Sequence, residues 1–153
     1  MATFDITTYK TDDILRADQN LGDILDHKGN GRSSVAFVYR NEPEPGSKTG
    51  ELLENLITKA LNLKMEEVLL INLNKSKLRN ISRISRIFSL NYIVLLDVSP
   101  ADLQLNVDIH KNNVVNFGRT KFLFTDSLDI FNDNVERKKQ FWQAMQLMFE
   151  LKK

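Results

Sequence analysis

Residues 68–96 read VLLINLNKSKLRNISRISRIFSLNYIVLL, and this stretch decides the fold. It opens on Val68-Leu69-Leu70-Ile71, a continuous apolar run of the kind that forms a strand buried on both faces of a parallel sheet. It closes on Tyr92-Ile93-Val94-Leu95-Leu96, a second such run, stopped by Asp97 and Pro100. Between the two, Leu78, Ile81, Ile84, Ile87 and Phe88 recur at helical spacing. Strand, helix, strand predicts a right-handed crossover between parallel neighbours.

The alternation continues on either side. Upstream, Val35-Ala36-Phe37-Val38-Tyr39-Arg40 is a β-rich run, followed by a turn over 41–48 that holds Pro43, Pro45 and Gly46. Leu52, Leu53, Leu56, Ile57, Ala60 and Leu61 then mark a helix. Downstream, 113–117 and 121–124 read as short strands around a Gly118-Arg119 turn. In the last helix, Asp133 and Glu136 are spaced as a capping box. Phe141, Trp142, Met145, Met148 and Phe149 supply its apolar face, and Lys152-Lys153 stand where the helix dipole favours cations. The expected fold is α/β, a three-layer α/β/α domain over 35–153 with a mainly parallel central sheet.

Residues 1–34 differ. Phe4, Ile6, Tyr9, Ile14, Leu15, Leu21, Ile24 and Leu25 are scattered among Asp and Asn, and the segment ends in a polar Gly/Ser-rich run from Asp26 that reads as a loop. The Ile14-Leu15 and Ile24-Leu25 pairs suggest helical turns too short to be stable alone. The segment is read as an arm that needs a surface, either its own domain or another protein.

Composition removes several classes of function. The chain has 153 residues, 42% of them hydrophobic, long enough for one domain with a real core. It has no cysteine, which excludes disulfides, thiolate zinc sites and a cysteine nucleophile. With 21 Lys+Arg against 20 Asp+Glu the net charge is +1, which argues against a strongly electrostatic binder. No apolar run approaches the ~20 residues needed to cross a bilayer, and residues 1–10 lack a signal-peptide pattern. The expectation is a cytoplasmic protein without a membrane role.

Catalytic motifs are missing. Gly46-Ser47-Lys48-Thr49-Gly50 lacks the glycine spacing of a phosphate loop and reads as a strand-to-helix turn. No G-x-S-x-G elbow exists. His27 and His110 stand in polar stretches and read as surface histidines. Asp12, Asp13, Asp126, Asp129 and Asp133 are read as structural carboxylates rather than a metal cluster. Neither a cofactor nor a metal is expected. One charge pattern does invite a functional reading. Residues 68–96 contain no acid, and Lys75, Arg79, Arg83 and Arg86 are spaced to share one helical face. They form either a solvated face or a strip for nucleic-acid phosphates or an acidic partner.

The order of segments resembles the uracil-DNA glycosylase superfamily. The residues that carry the resemblance are Glu42, Glu44, Pro45 and Gly46 after the first strand, then Thr49-Gly50-Glu51-Leu52-Leu53, then Val68 to Asn72. Phe122-Leu123-Phe124-Thr125-Asp126-Ser127-Leu128 and the helix carrying Arg137 and Trp142 complete it. It implies a cleft near Glu42, Glu44, Asn72, Asp126 and Ser127. An active member places a histidine after the last strand to stabilise the departing base. Here that position reads Thr125-Asp126-Ser127, and an aspartate there opposes an anionic leaving group. The Thr-Asp-Ser-Leu stretch and the helix after it are similar to the catalytically silent psi branch, adaptors of the bacterial replicative clamp loader. That resemblance implies a non-enzymatic interaction module with a degenerate pocket. Its arm residues Phe4, Ile6, Tyr9, Ile14 and Leu15 would order on a protein partner in the replication machinery. The alternatives are a divergent nucleobase glycosylase and a single-stranded nucleic-acid binder.

Overall fold

The computed structural model describes residues 24–40, 42–44, 46–106 and 110–150. The arm residues Phe4, Ile6, Tyr9, Ile14 and Leu15 lie outside them, as do Pro45, Lys152 and Lys153.

Six strands form one mixed sheet: β1 (His27–Lys28), β2 (Val35–Tyr39), β3 (Leu69–Asn72), β4 (Tyr92–Leu96), β5 (Val114–Phe117) and β6 (Thr120–Thr125). Their spatial order is β1-β3-β2-β4-β6-β5. The inner pairs β3·β2, β2·β4 and β4·β6 are parallel, with Val38 opposite both Ile71 and Leu95 and Leu95 opposite Phe124. Both edge strands run antiparallel, β1 on β3 and β5 on β6. The expected mainly parallel sheet is therefore corrected to a mixed one. The cause at one edge is local. Gly118, at φ +64°, closes a tight turn between β5 and β6, and a connection that short can only return the chain antiparallel.

Strand side chains alternate between two apolar clusters, one on each face. Ala36, Val38, Leu69, Ile71, Ile93 and Leu95 point to the face covered by helix α2 (Ile81–Phe88). Val35, Phe37, Leu70, Val94, Leu96 and Leu123 point to the other. There they meet α1 (Lys48–Asn55, continued by a π turn at Leu56–Ala60), α3 (Leu128–Asp133) and α4 (Val135–Phe149). Phe37, Ile57, Ile71 and Phe141 are almost wholly buried, and each such side chain stabilises the fold by roughly 1.5–3 kcal/mol.

Three local details differ from expectation. Helix α2 starts at Ile81, not at Leu78, because the Asn80 side chain accepts the Arg83 N–H at 3.1 Å and caps it there. The last helix is capped by Asn134, whose side chain accepts the Arg137 N–H at 3.0 Å, while Asp133 ends α3. Residues 24–34, read as the end of the arm, are stitched to the sheet. Leu25 is buried, the Ile24 carbonyl accepts the Lys77 and Leu78 N–H groups, and β1 pairs with β3. Gly29, at φ +82°, lets the chain pass so close that a Cβ would stand 1.9 Å from the Val68 carbonyl oxygen. Among the described residues no helix is long and apolar enough to cross a membrane.

Candidate binding cleft

In the spatial order of the parallel strands, the chain moves from β2 outward to β3 and then back past β2 to β4. The crevice beyond the carboxyl ends of β2 and β4 is thus a topological switch point, where open α/β sheets bind ligands. A cavity of about 450 Å³ lies there. Arg40 and Asp97, the residues that follow β2 and β4, line it together with Tyr39, Leu96, Glu42, Pro43, Glu44, Ser47, Thr49, Ser127, Leu128 and Asp129. A second cavity of about 200 Å³ adjoins it and shares Tyr39, Glu42 and Pro43.

Each wall has an identifiable support. Ser47 caps α1, accepting the Gly50 N–H at 3.0 Å and donating its hydroxyl to the Glu44 carbonyl at 2.6 Å. Gly50 has to be small: a Cβ there would come within 2.5 Å of the Glu44 oxygen. The Thr49 hydroxyl donates to Asp129 at 2.6 Å and accepts from the Asn132 amide at 3.1 Å, joining the start of α1 to α3. Asp97 turns the chain at φ +58° and its N–H donates to the Thr125 carbonyl at 2.9 Å. Aspartate tolerates that left-handed conformation better than most residues.

The electrostatics are lopsided. Four carboxylates, Glu42, Glu44, Asp97 and Asp129, face one guanidinium, that of Arg40. Arg40 is itself engaged, donating to Asp102 at 2.6 Å and to the Asp97 carbonyl at 3.1 Å. Lys28 pairs with Glu42 from outside the larger cavity. Tyr39 is only 5% exposed. Burial pushes its phenol well above the ordinary tyrosine range, and the Glu42 and Asp26 carboxylates add to the shift. No group of His, Cys, Asp and Glu among the described residues converges as a metal site.

Of the site residues read from sequence, Glu42, Glu44 and Ser127 line the cleft. Asn72 does not; it is buried at the end of β3, where its side chain accepts the Lys75 N–H at 3.3 Å and caps a 3-10 turn. Asp126 is also outside the lining. It is 3% exposed and held by Lys111 at 2.8 Å and Arg137 at 3.3 Å. The basic residues do not share one helical face. Lys75 closes the 3-10 turn and Arg79 precedes α2, its guanidinium donating to the Ser76 and Leu73 carbonyls, so only Arg83 and Arg86 stand on the helix. His110 is exposed, as expected. His27 instead belongs to the edge strand, with its ring edge-on to Phe88 at 5.3 Å and its Nδ1 buried without a partner.

Sequence reasoning missed Tyr39, Arg40, Thr49, Asp97 and Asp129 as cleft residues. The available signal was positional. At a switch point the residues just after the two strands that flank it reach the crevice, and Arg40 and Asp97 hold those positions after β2 and β4. No family model matches the chain, and no curated protein does.

Proposed function

We propose that the chain is a non-enzymatic protein-interaction module, a degenerate glycosylase-like domain of three layers that serves as an adaptor in the replication machinery, similar to the psi branch. Apolar clusters on both faces of the sheet and a cleft at the strand ends support that architecture. The observation that carries the reading is the chemistry of the cleft: four carboxylates and no imidazole among the lining residues. Base excision needs stabilisation of negative charge on the departing base, and a carboxylate lining works against it while also repelling DNA phosphates. Asp126, at the position where the resemblance expects a histidine, is buried between two cations and performs a structural role. A cleft unsuited to that chemistry leaves binding as the function. The arm residues Phe4, Ile6, Tyr9, Ile14 and Leu15 provide the apolar contact that orders on the partner.

Capture from an extract of the protein's own cells tests the reading. The full chain is expected to retain a clamp-loader component, and the full chain with those five arm residues changed to serine is expected to lose it. Retention of the same proteins by both, or of no replication protein by either, would overturn the proposal.

A further inference from the structure

We propose that the larger cleft is a binding site for an organic cation, a guanidinium or primary ammonium group. Three independent features point to this ligand class. The first is charge: Glu44 and Asp97 have no cationic partner among the described residues, and Arg40 is already committed to Asp102. An anion would therefore meet repulsion from the lining without a free guanidinium to receive it.

The second feature is Tyr39. The residue is only 5% exposed, it stands on the wall shared by both cavities, and no described group hydrogen-bonds its hydroxyl. The hydroxyl is open to the cavity and not sealed in the core, so a ligand there meets an unpaired phenol. The phenol oxygen accepts readily from an ammonium or guanidinium N–H, and the ring face adds attraction for a cation.

The third feature is size. The carboxylates are distributed around the cavity and do not converge on a metal-sized point. The volume of about 450 Å³ lies in the range of small-ligand pockets. A nitrogen cation on a carbon stem is the kind of group that a cavity of this size and charge accommodates. The cation can come from an arginine or lysine side chain of a polypeptide or from a free small molecule. The site stands whether or not the arm captures a replication partner, because it rests on the cleft alone.

The test is a titration of the isotopically labelled full chain, followed by nuclear magnetic resonance, with three probes. They are N-acetyl-arginine amide, its uncharged isostere N-acetyl-citrulline amide, and the peptide Gly-Gly-Arg-Gly-Gly. The arginine amide is expected to give saturable shifts centred on Tyr39, Glu44 and Asp97, weakening as salt rises. The citrulline amide is expected to bind several-fold more weakly. Glu44→Gln and Asp97→Asn, both at exposed positions, are expected to weaken the arginine amide by roughly 2–5-fold each, as for partly exposed ion pairs. Glu136→Gln, on the exposed first turn of α4, leaves it unchanged. Tighter binding of the peptide assigns the site to a polypeptide side chain, equal binding to free small cations, and both uphold the cation site. Equal affinity for the arginine and citrulline amides, or shifts that avoid the cleft, would overturn it without requiring any variant to fold.

Discussion

Tyr39 ends β2 and Asp126 follows β6, the two strands that flank β4, and they handle burial in opposite ways. Tyr39 is buried as a neutral phenol beside carboxylates. The folded state thus holds its proton to higher pH than the unfolded chain, which releases it near pH 10. Above that pH the unfolded state binds fewer protons, so stability is intact below pH 10 and falls as pH rises beyond it, by at most about 1.4 kcal/mol per pH unit. Urea midpoints measured between pH 9 and 11 should fall more steeply for the natural chain than for Tyr39→Phe; identical slopes would show that the phenol titrates as if exposed. Asp126 is instead buried as a charge between Lys111 and Arg137. The two cations are about half exposed, so they rehydrate when the aspartate is lost, whereas the aspartate cannot rehydrate when they are lost. Lys111→Met with Arg137→Met should therefore destabilise the fold by about 3–5 kcal/mol, and Asp126→Asn by only about 1–2 kcal/mol. Denaturant unfolding giving the reverse order would contradict this placement of the charge.

At the scale of elements, capping side chains decide where the helices begin. Asp133 and Asn134 are both good caps by type, and residue type alone does not rank them. The structure selects Asn134 because α3 runs to Asp133 before the chain turns. Asn134→Ala should lower stability by about 1 kcal/mol and Asp133→Ala by a few tenths at most, read as shifts in thermal midpoint; equal effects would return the cap to Asp133. Asn80 acts similarly at α2, and the cap there separates Lys75 and Arg79 from the helix that their spacing suggested. Strands β2, β3 and β4 were legible because each is built on a continuous apolar run; β4 falls on the residues that the sequence marks, and β2 ends one residue short of its run. Strand β1 was not legible. Two residues carry no periodicity, and His27–Lys28 becomes a strand only because β3 offers an open edge. Helix α3 was equally hidden, since Leu128–Asp133 is one short turn-and-a-half that owes its stability to Leu128 and Phe131 packing under α4.

Across the whole molecule, strand order turns scattered residues into a cleft. Glu42, Glu44 and Ser127 were legible through the motifs that flank the strands. Asp97 reads in sequence only as a residue that stops a strand, and Asp129 only as a structural carboxylate. They become cleft residues because β2 lies beside β4, and β6 beside β4, pairings that no local pattern encodes. Asn72 was misplaced for the same reason: β3 sits on the far side of β2 from β4. The assembled cleft is rich in carboxylates, and the central claim is that it binds and does not excise bases. Incubating the full chain with a uracil-containing single-stranded oligonucleotide, followed by alkaline strand cleavage, tests that claim most directly. Intact oligonucleotide at every protein-to-oligonucleotide ratio is the predicted result; accumulation of abasic product that disappears in Glu44→Gln or Asp97→Asn would contradict it.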